Sequence, residues 1–397
     1  MNAQTKLNFD TVFDRRNTDS IKWDSKFLKE EFKGDDLLPL WVADMDFQSP
    51  QPVIDVLVKR AKHGIFGYSA PASEDYLKSI LSWFQRRYGW SIDKEWILYA
   101  PGVVPACNYI YQRFSKPGDK VIIQEPVYYP FASGIKANGR IVESNQLLFE
   151  NNYYTINFEE LEKQLKDPLS KIFILCNPHN PVGRVWKKDE LKQIGDLCLE
   201  NEVLVIADEI HCDLIYPGFK HIPFGSISNE FAQNSITTSS GTKTFNLAGL
   251  HYSNIIIPNK FRREDFKAQS EINAATFSNV FGRLALQVAY DQCEDWLESL
   301  LDYLLNNLSF LQDFISEKIP DVSVIPLEGT YLVWMDFRNY KLNGKERQKK
   351  FIESKVAMDP GYFFGAGGDG FERINIGCPR EILEEAMNRI SNAVRNF

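Results

Sequence analysis

Short apolar runs alternate with helical stretches from about residue 96 onward, and this alternation restricts the fold more than any other feature. The apolar runs cover residues 96–99, 121–123, 172–176, 203–207 and 255–257, and the helical stretches between them cover 103–115, 158–166 and 187–201. Apolar strands that alternate with helices are typical of a parallel sheet buried on both faces. The pattern therefore predicts an α/β fold with a mainly parallel sheet and helices on both of its faces.

The chain of 397 residues exceeds the usual size of a single hydrophobic core, so we expect two domains. A long helical region over 277–318 precedes a second alternating part, with strands predicted at 322–325, 331–337 and 373–376 and a helix over 380–396. We therefore predict an N-terminal arm with part of the small domain (1–45), a large domain (46–285) and a small α+β domain (286–397).

Composition excludes several classes of function. The 45 Lys and Arg residues against 53 Asp and Glu residues give a net charge of −8, which does not favour nucleic acid or an anionic membrane as a partner. The six cysteines are scattered without a C-x-x-C pair, so we expect no metal site and reduced thiols in a cytoplasmic protein. Residues 1–6 have no apolar core of a signal peptide, and no window approaches 18 uninterrupted apolar residues.

Unusual residues gather where the predicted strands end. The five segments are Pro101-Gly102-Val103-Val104, Glu125-Pro126-Val127-Tyr128-Tyr129, Asn177-Pro178-His179-Asn180-Pro181-Val182-Gly183, Asp208-Glu209-Ile210-His211 and the stretch 238–249. Ligands of such sheets bind at the carboxyl ends of the strands, so these segments predict one binding site at that edge.

The stretch 238–249 places Lys243 among glycine and small hydroxylic residues, without an acidic side chain nearby. A solvated turn lysine is the simplest interpretation. A phosphate-binding loop of the nucleotide-binding type is excluded because Gly241 lies only two residues before Lys243. A third interpretation is a lysine that forms a Schiff base with pyridoxal 5'-phosphate (PLP), because the segment combines an anion cradle with a reactive amine.

Four other segments offer matching chemistry. Asp208 closes an apolar strand, where burial would raise its pKa unless a cation such as a protonated pyridine nitrogen compensates; a helix cap or an ion-paired acid is the alternative. Val103 and Val104 open a helix whose free N–H groups suit a phosphate. Tyr128 could stack on a planar ring or pack in the core. Asn180 could donate its amide to a phenolic oxygen or only form a turn.

Two further sequence features bear on ligand binding. Arg373 has the forked geometry that binds a carboxylate, with a surface ion pair as the alternative. Residues 365–370 match G-x-G-x-x-G, but a strand-like segment follows instead of a helix, so a dinucleotide site is not expected.

As a set, these stretches resemble the fold-type I PLP enzymes of the aspartate aminotransferase superfamily. The resemblance covers nearly the whole chain, through segments 22–24, 41–47, 64–68, 101–104, 177–183, 208–211, 243–246, 329–331 and 373–380. The cystathionine β-lyase-like (C-S lyase) branch is the most similar. That likeness rests on residues 41–47 and on His211, where aminotransferases usually have tyrosine.

The resemblance implies a role for each matching residue. Lys243 would be the catalytic Schiff-base lysine. Asp208 would bind the ring nitrogen of the cofactor, Asn180 would bind its phenolic oxygen, and Tyr128 would stack on its ring. The cofactor phosphate would be bound by Val103, Val104 and Ser240, and Tyr68 would reach it from the second subunit of a homodimer. The substrate carboxylate would be bound by Arg373, Ala43 and Asn180. His211 would neighbour the phenolic oxygen, or simply be packed or solvated. His251 stands where relatives often have an arginine.

The implied reaction is α,β-elimination from cystathionine or another cysteine S-conjugate, which yields a thiol, pyruvate and ammonia. Lys243 or Tyr129 would protonate the departing sulfur. Transamination of an amino acid is the first alternative, because the two outcomes differ only in where a proton is delivered. A regulatory protein that retains the fold is the second.

Overall fold

The computed structural model describes residues 7–397, so the part of the predicted arm formed by residues 1–6 lies outside the described residues. The strands are β1 (Leu38–Pro39), β2 (Ile97–Ala100), β3 (Lys120–Ile123), β4 (Ile141–Ser144), β5 (Leu148–Glu150), β6 (Tyr153–Thr155), β7 (Ser170–Cys176), β8 (Leu204–Asp208), β9 (Ser235–Ser239), β10 (Ser253–Ile256), β11 (Ser323–Val324), β12 (Leu332–Asp336), β13 (Val356–Ala357), β14 (Asp359–Pro360) and β15 (Phe371–Asn375).

Helices connect most of these strands. They are α1 (Ser25–Phe32), α2 (Gln51–His63), α3 (Glu74–Tyr88), α4 (Val103–Phe114), α5 (Pro130–Ala137), α6 (Phe158–Leu165), α7 (Lys188–Glu200), α8 (Asn229–Gln233), α9 (Gly241–Thr244), α10 (Lys260–Ile272), α11 (Val280–Gln292), α12 (Glu294–Lys318), α13 (Gly344–Glu353) and α14 (Arg380–Val394). Within the described residues, none of the helices has both the length and the apolar character needed to cross a membrane.

Seven strands form the central sheet in the order β2-β10-β9-β8-β7-β3-β4. Strand β10 is antiparallel to both of its neighbours, and the other pairings are parallel. The prediction of a mainly parallel sheet is therefore confirmed, and the apolar run at 255–257 belongs to the single reversed strand. Because β2 runs in the same direction as β9, its carboxyl end meets those of β3, β7, β8 and β9 at one edge.

The sheet separates two hydrophobic cores. Along β8, Val205 packs into the core that contains Leu191 of α7, whereas the adjacent Leu204 packs into the core that contains Ile110 of α4. Successive side chains of a strand point to opposite faces, so alternate residues supply the two cores. The prediction that helices cover both faces is confirmed.

A second sheet, in the order β11-β12-β15-β14, is antiparallel, and α12 and α13 pack against α14 beside it. Strand β1 pairs in parallel with β13 and so joins the N-terminal segment to this C-terminal unit. The boundaries at residues 45 and 285 remain a prediction.

The helical region predicted over 277–318 is two helices, not one. Cys293 ends α11 and precedes α12 with φ −119° and ψ 21°, which is not a helical conformation. Glu294 and Asp295 follow in the first turn of α12, where acidic side chains stabilise the start of a helix through its dipole. A regular apolar spacing across the junction hides such a break from sequence periodicity.

The packing of α12 gives a prediction for stability. Leu304 is fully buried in the core, whereas the neighbouring Leu305 is 38% exposed. We expect Leu304→Ala to lower the free energy of unfolding by about 2–5 kcal/mol and Leu305→Ala by less than about 1 kcal/mol, because only the first change leaves a cavity. Urea unfolding followed by circular dichroism measures both, and equal midpoints for the two variants would contradict the packing described here.

Candidate active site

A cavity of about 300 Å³ opens at the carboxyl edge of the central sheet. Residues from all five predicted segments line it, including Val103, Val104, Tyr128, Asn180, Asp208, His211 and Lys243, together with Ala43 from the N-terminal part of the chain. Residues that lie far apart in the sequence, such as Ala43 and Ser253, therefore share one cavity.

Lys243 lies on the single-turn helix α9, directly after β9. Its Nζ donates a hydrogen bond to the carbonyl oxygen of Ala43 at 2.6 Å. Burial lowers the pKa of Lys243 to about 8; Asp44 and Asp208 oppose this shift and Arg373 adds to it. A fraction of the amine is therefore uncharged near neutral pH, as a nucleophile or base requires.

Asp208 ends β8 with its side chain buried at the cavity, 4% exposed. Its Oδ1 accepts a hydrogen bond from the N–H of Ile210 at 3.1 Å and a long one from the Thr238 hydroxyl at 3.5 Å. Within residues 7–397 it has no ion-pair partner. Burial raises the pKa of Asp208 to about 7, against the effect of these hydrogen bonds and of Lys243. The helix-cap and ion-pair alternatives thus do not describe this acid, which can accept a cationic N–H from a ligand.

Arg373 is buried on β15, so the surface ion pair considered for it is wrong. Its Nη1 donates to Oδ1 of Asn180 at 3.0 Å, and its Nη2 donates to the Trp41 carbonyl at 2.8 Å and to Asp359. Its Nε is buried without a hydrogen-bond partner among the described residues. Arg373 is therefore held rigidly beside Asn180 with one donor free for a ligand.

His211 lies against the cavity, buried, with its ring 5.9 Å from the ring of Tyr331. Burial lowers the pKa of His211 well below its usual value, and the charges of Lys243 and Arg373 add to the effect. Its Nδ1 has no partner within the described residues. The side chain is thus a neutral imidazole, and the solvated alternative is wrong.

The part of the cavity lining that lies at the start of α4 suits an anion. Gly102 precedes α4 without a side-chain cap, which leaves the first N–H groups of the helix, including those of Val103 and Val104, available. The Ser240 hydroxyl, in contrast, donates to the Tyr252 carbonyl at 2.6 Å and accepts from the Thr242 N–H, and Ser240 does not line the cavity. Thr242 lines it instead, a residue that the sequence did not single out.

Tyr129 and Tyr68, like Ser240 and Arg373, do not line this cavity. Tyr129 is 37% exposed and lines a neighbouring cavity, with its ring 5.8 Å from that of Tyr128. Tyr68 is 92% exposed and stands 4.9 Å from the ring of Phe277. The role expected for Tyr68 requires a second subunit, so its exposure in one chain is consistent with that role.

A network that sequence reasoning missed fixes the segment around Ala43. Arg15 binds the carboxylates of Asp44 and Asp46, and the buried Lys22 binds Asp46 at 2.8 Å. Both acids are thus ion-paired with cations from the N-terminal part of the chain. Only the proximity of Arg15, Lys22 and two acids within the first 46 residues could have indicated ion pairs.

Asn246 connects the lysine loop, residues 238–249, to the same segment through hydrogen bonds. Its Oδ1 accepts from the Met45 N–H at 3.0 Å, and its Nδ2 donates to the carbonyls of Met45 and Phe47 at 2.8 Å each. The carbonyl of Ala43 also accepts a hydrogen bond from the Tyr331 hydroxyl at 2.9 Å. The partner of the Lys243 amine is thus fixed by contacts from three parts of the chain.

These groups fit PLP when each is matched with a part of that molecule. A buried acid without a cation could bind the protonated ring nitrogen, a helix N-terminus could bind the phosphate, and a lysine with a lowered pKa could bond to the aldehyde. Asn180 and the neutral His211 could hydrogen bond to the phenolic oxygen. Lys243 and Asp208 line one cavity, so the amine does not point into bulk solvent away from the carboxylate.

Comparison with known proteins agrees with this chemistry. Residues 35–390 match the family model for class I and II aminotransferases. The chain is 42% identical to the cystathionine beta-lyase PatB of Bacillus subtilis (strain 168), over 98% of this chain and 100% of that protein. It resembles a PLP-bound protein of Clostridium difficile 630, provisionally called an aminotransferase (TM-score 0.95, 44% identity), over 98% of this chain and 99% of that one. Cystalysin of Treponema denticola, whose crystal structure contains PLP, is similar over the same shares (TM-score 0.94, 40% identity).

The surroundings of Lys243 give a prediction about its titration. In cofactor-free protein we expect the amine to titrate near pH 8, and Asp44→Asn to lower its pKa further, because the Asp44 charge favours the protonated form. The pH dependence of the rate at which an acylating reagent labels Lys243, followed by mass spectrometry, measures both values. The exposed Lys260 provides an internal reference, and identical profiles for Lys243 and Lys260 would contradict the prediction.

Proposed function

The chain belongs to the family of class I and II aminotransferases and is a PLP-dependent enzyme, and we propose that it is a C-S β-lyase that cleaves cystathionine or a related cysteine S-conjugate. The observation that carries this proposal is the full-length likeness to a cystathionine β-lyase, together with a cavity lined by Lys243, Asp208 and Asn180, the last of which accepts a hydrogen bond from Arg373. The reaction consumes the conjugate and one water and releases a thiol, pyruvate and ammonia.

Four groups would bind and orient the cofactor. Asp208 would keep a proton on the pyridine nitrogen, and the N–H groups of Val103 and Val104 would bind the phosphate. Asn180 would donate to the phenolic oxygen, with Tyr128 against the ring. When bound, PLP supplies an electron-withdrawing cationic ring that makes the Cα proton of the substrate acidic.

Two basic residues would hold and deprotonate the substrate. Arg373, always charged and held by Asn180 and Asp359, would bind the α-carboxylate through its free Nε. Lys243 would act in its uncharged form as the base that removes the Cα proton at Nζ. Because the pKa of Lys243 is about 8, both its charged and its uncharged forms are accessible near neutral pH. The same Nζ could therefore deliver that proton to the departing sulfur.

Tyr129 is the second candidate for protonating the sulfur. Burial raises its pKa, and the charge of Asp359 adds to this effect, so the phenol keeps its proton at neutral pH. Its position at the neighbouring cavity suits a donor on the side where a leaving group would depart.

The proposed active unit is a homodimer. An exposed apolar patch contains Ile65 (68% exposed), Phe66 (57%), Tyr68 (92%) and Phe277 (61%), and the two segments are joined by the Tyr68–Phe277 ring contact. A monomeric protein rarely exposes such a patch, and a second copy of the chain is the partner that would cover it. Tyr68 would then reach the cofactor phosphate of the other subunit. We place the enzyme in the cytoplasm because all six cysteines are free thiols.

The lyase activity is tested with purified protein, added PLP and cystathionine, in the absence of any keto acid. We expect pyruvate, measured by coupling to lactate dehydrogenase, and we expect Lys243→Ala to reduce the rate by at least about a thousandfold because both the base and the covalent link are lost. Lys260→Ala, a change at an exposed lysine, serves as the control. Keto acid formed only when a keto-acid acceptor is added would instead identify an aminotransferase.

The dimer is tested separately. We expect Phe277→Asp to produce a monomer in sedimentation velocity runs, whereas Phe261→Asp, at a residue 81% exposed but outside the patch, leaves the dimer intact. Tyr68→Phe should keep the dimer and weaken PLP binding by about tenfold, because one hydrogen bond to a charged group is lost. A dimer that persists in Phe277→Asp, or unchanged PLP affinity in Tyr68→Phe, would reject the arrangement.

A further inference from the structure

A second cavity of about 480 Å³ adjoins the candidate active site. Tyr128 lines the active-site cavity, and its ring lies 5.8 Å from the ring of Tyr129, which lines the second one. The guanidinium carbon of Arg373 lies 5.0 Å from the ring centroid of Phe364, which also lines the second cavity. Arg373 also donates a hydrogen bond to Asn180, which lines the active-site cavity, so Arg373 and the tyrosine pair lie between the two cavities.

The position of the second cavity indicates which part of a substrate it could bind. A substrate whose α-carboxylate binds Arg373 would present its S-linked group near this border. The wall there is aromatic, with the ring of Tyr129 5.9 Å from that of Phe364 and 6.1 Å from that of Phe363. The part of a conjugate beyond the sulfur thus has an adjoining aromatic space.

Three charged residues line this space: Glu31 of α1, Glu125 and Lys136. The carboxylate of Glu125 is already engaged, since it accepts hydrogen bonds from the Ser144 hydroxyl at 2.6 Å and from the Ala366 N–H at 3.2 Å. Glu31 is exposed and has neither a salt bridge nor a side-chain hydrogen bond to any of residues 7–397. Two acidic side chains and one basic side chain give the lining a net negative charge.

The charge of Glu31 also acts on the wall of the cavity. Burial raises the pKa of Tyr129, and the charges of Asp359 and Glu31 increase it further. The pKa of Tyr362 is raised by burial first, and Glu31 contributes there as well. Glu31 lines the same cavity as these two tyrosines, so its charge acts within the cavity.

Given the lyase function proposed above, we propose that Glu31 determines specificity by favouring conjugates whose S-linked group ends in a cation, such as a primary ammonium. The carboxylate attracts the cation, and the faces of the aromatic side chains favour it too. Lys136 acts in the opposite direction and disfavours it. An exposed acid contributes modestly, so the expected preference for a cationic over a neutral end is about threefold to fivefold.

Three conjugates of similar size test the inference with the holoenzyme: S-(2-aminoethyl)-L-cysteine, S-propyl-L-cysteine and S-carboxymethyl-L-cysteine, which end in a cation, a methyl group and an anion. We expect kcat/KM for pyruvate release to fall in that order. Added salt should weaken the preference, because the interaction is between exposed charges. Equal values, or a preference for the anionic conjugate, would overturn the inference and leave the lyase function intact.

Matched variants assign the effect to one residue. Glu31→Gln should remove the preference for the aminoethyl conjugate while changing kcat/KM for the propyl conjugate by less than twofold. Glu30→Gln, the same change on the exposed neighbour in α1, should leave both values unchanged. A preference that survives Glu31→Gln, or that is lost in Glu30→Gln, would contradict the assignment.

Binding measurements with unreactive ligands test the role of Glu31 independently of the elimination reaction. L-Lysine and L-2-aminoheptanoate replace the sulfur by a methylene group, so neither can undergo the elimination. Calorimetry should give a threefold to fivefold lower Kd for lysine in the unmodified protein and equal values in Glu31→Gln. This result would support the role of Glu31 even if no conjugate released pyruvate, whereas equal Kd values in the unmodified protein would overturn it.

Discussion

The buried carboxylate of Asp208, which has no ion-pair partner within the described residues, is the constraint on which the rest of the site depends. Removing a charge from water costs several kcal/mol unless a partner compensates, and the rise of the Asp208 pKa to about 7 reflects that cost. A protein keeps such a group where a ligand supplies the missing cation. The parallel sheet makes this possible, because the end of β8 is both buried and adjacent to the cavity. A protonated pyridine nitrogen is the cation that fits.

The loop that carries Lys243 has to hold its backbone in place while the amine remains able to reach a ligand. Ser240 caps α9, and the Thr244 hydroxyl donates to the buried Asp213 at 2.7 Å. Asn246 holds the loop to the segment that carries Ala43, the hydrogen-bond partner of Nζ. These contacts restrict the backbone and leave the side chain of Lys243 as the part that can move. The amine can therefore change partners, from the Ala43 carbonyl to a ligand, without rearranging the loop.

Sequence could predict those features that depend on local pattern. Alternating apolar runs indicated the sheet, and the chemistry at strand ends indicated the cavity with Lys243 and Asp208. Contacts between distant segments left no such pattern: the pairing of Arg373 with Asp359, the ion pairs of Arg15 and the engagement of the Ser240 hydroxyl all depend on how separate elements pack. The break at Cys293 could not be predicted, because the apolar periodicity continues across a residue whose backbone conformation is not helical.

The pairing of Arg373 with Asp359 has a consequence for recognition. Burial raises the pKa of Asp359 to about 6, although the adjacent guanidinium opposes the shift, so the acid is largely ionised at neutral pH and offsets part of the charge of Arg373. Under the proposed function, an incoming α-carboxylate would meet a rigid guanidinium with a free Nε but a reduced net attraction. All α-amino acids share that carboxylate, so weakening its contribution does not reduce selectivity. Under the proposed function, discrimination between substrates would then arise from the distal group, in the aromatic cavity beside Tyr129 where Glu31 supplies an exposed charge.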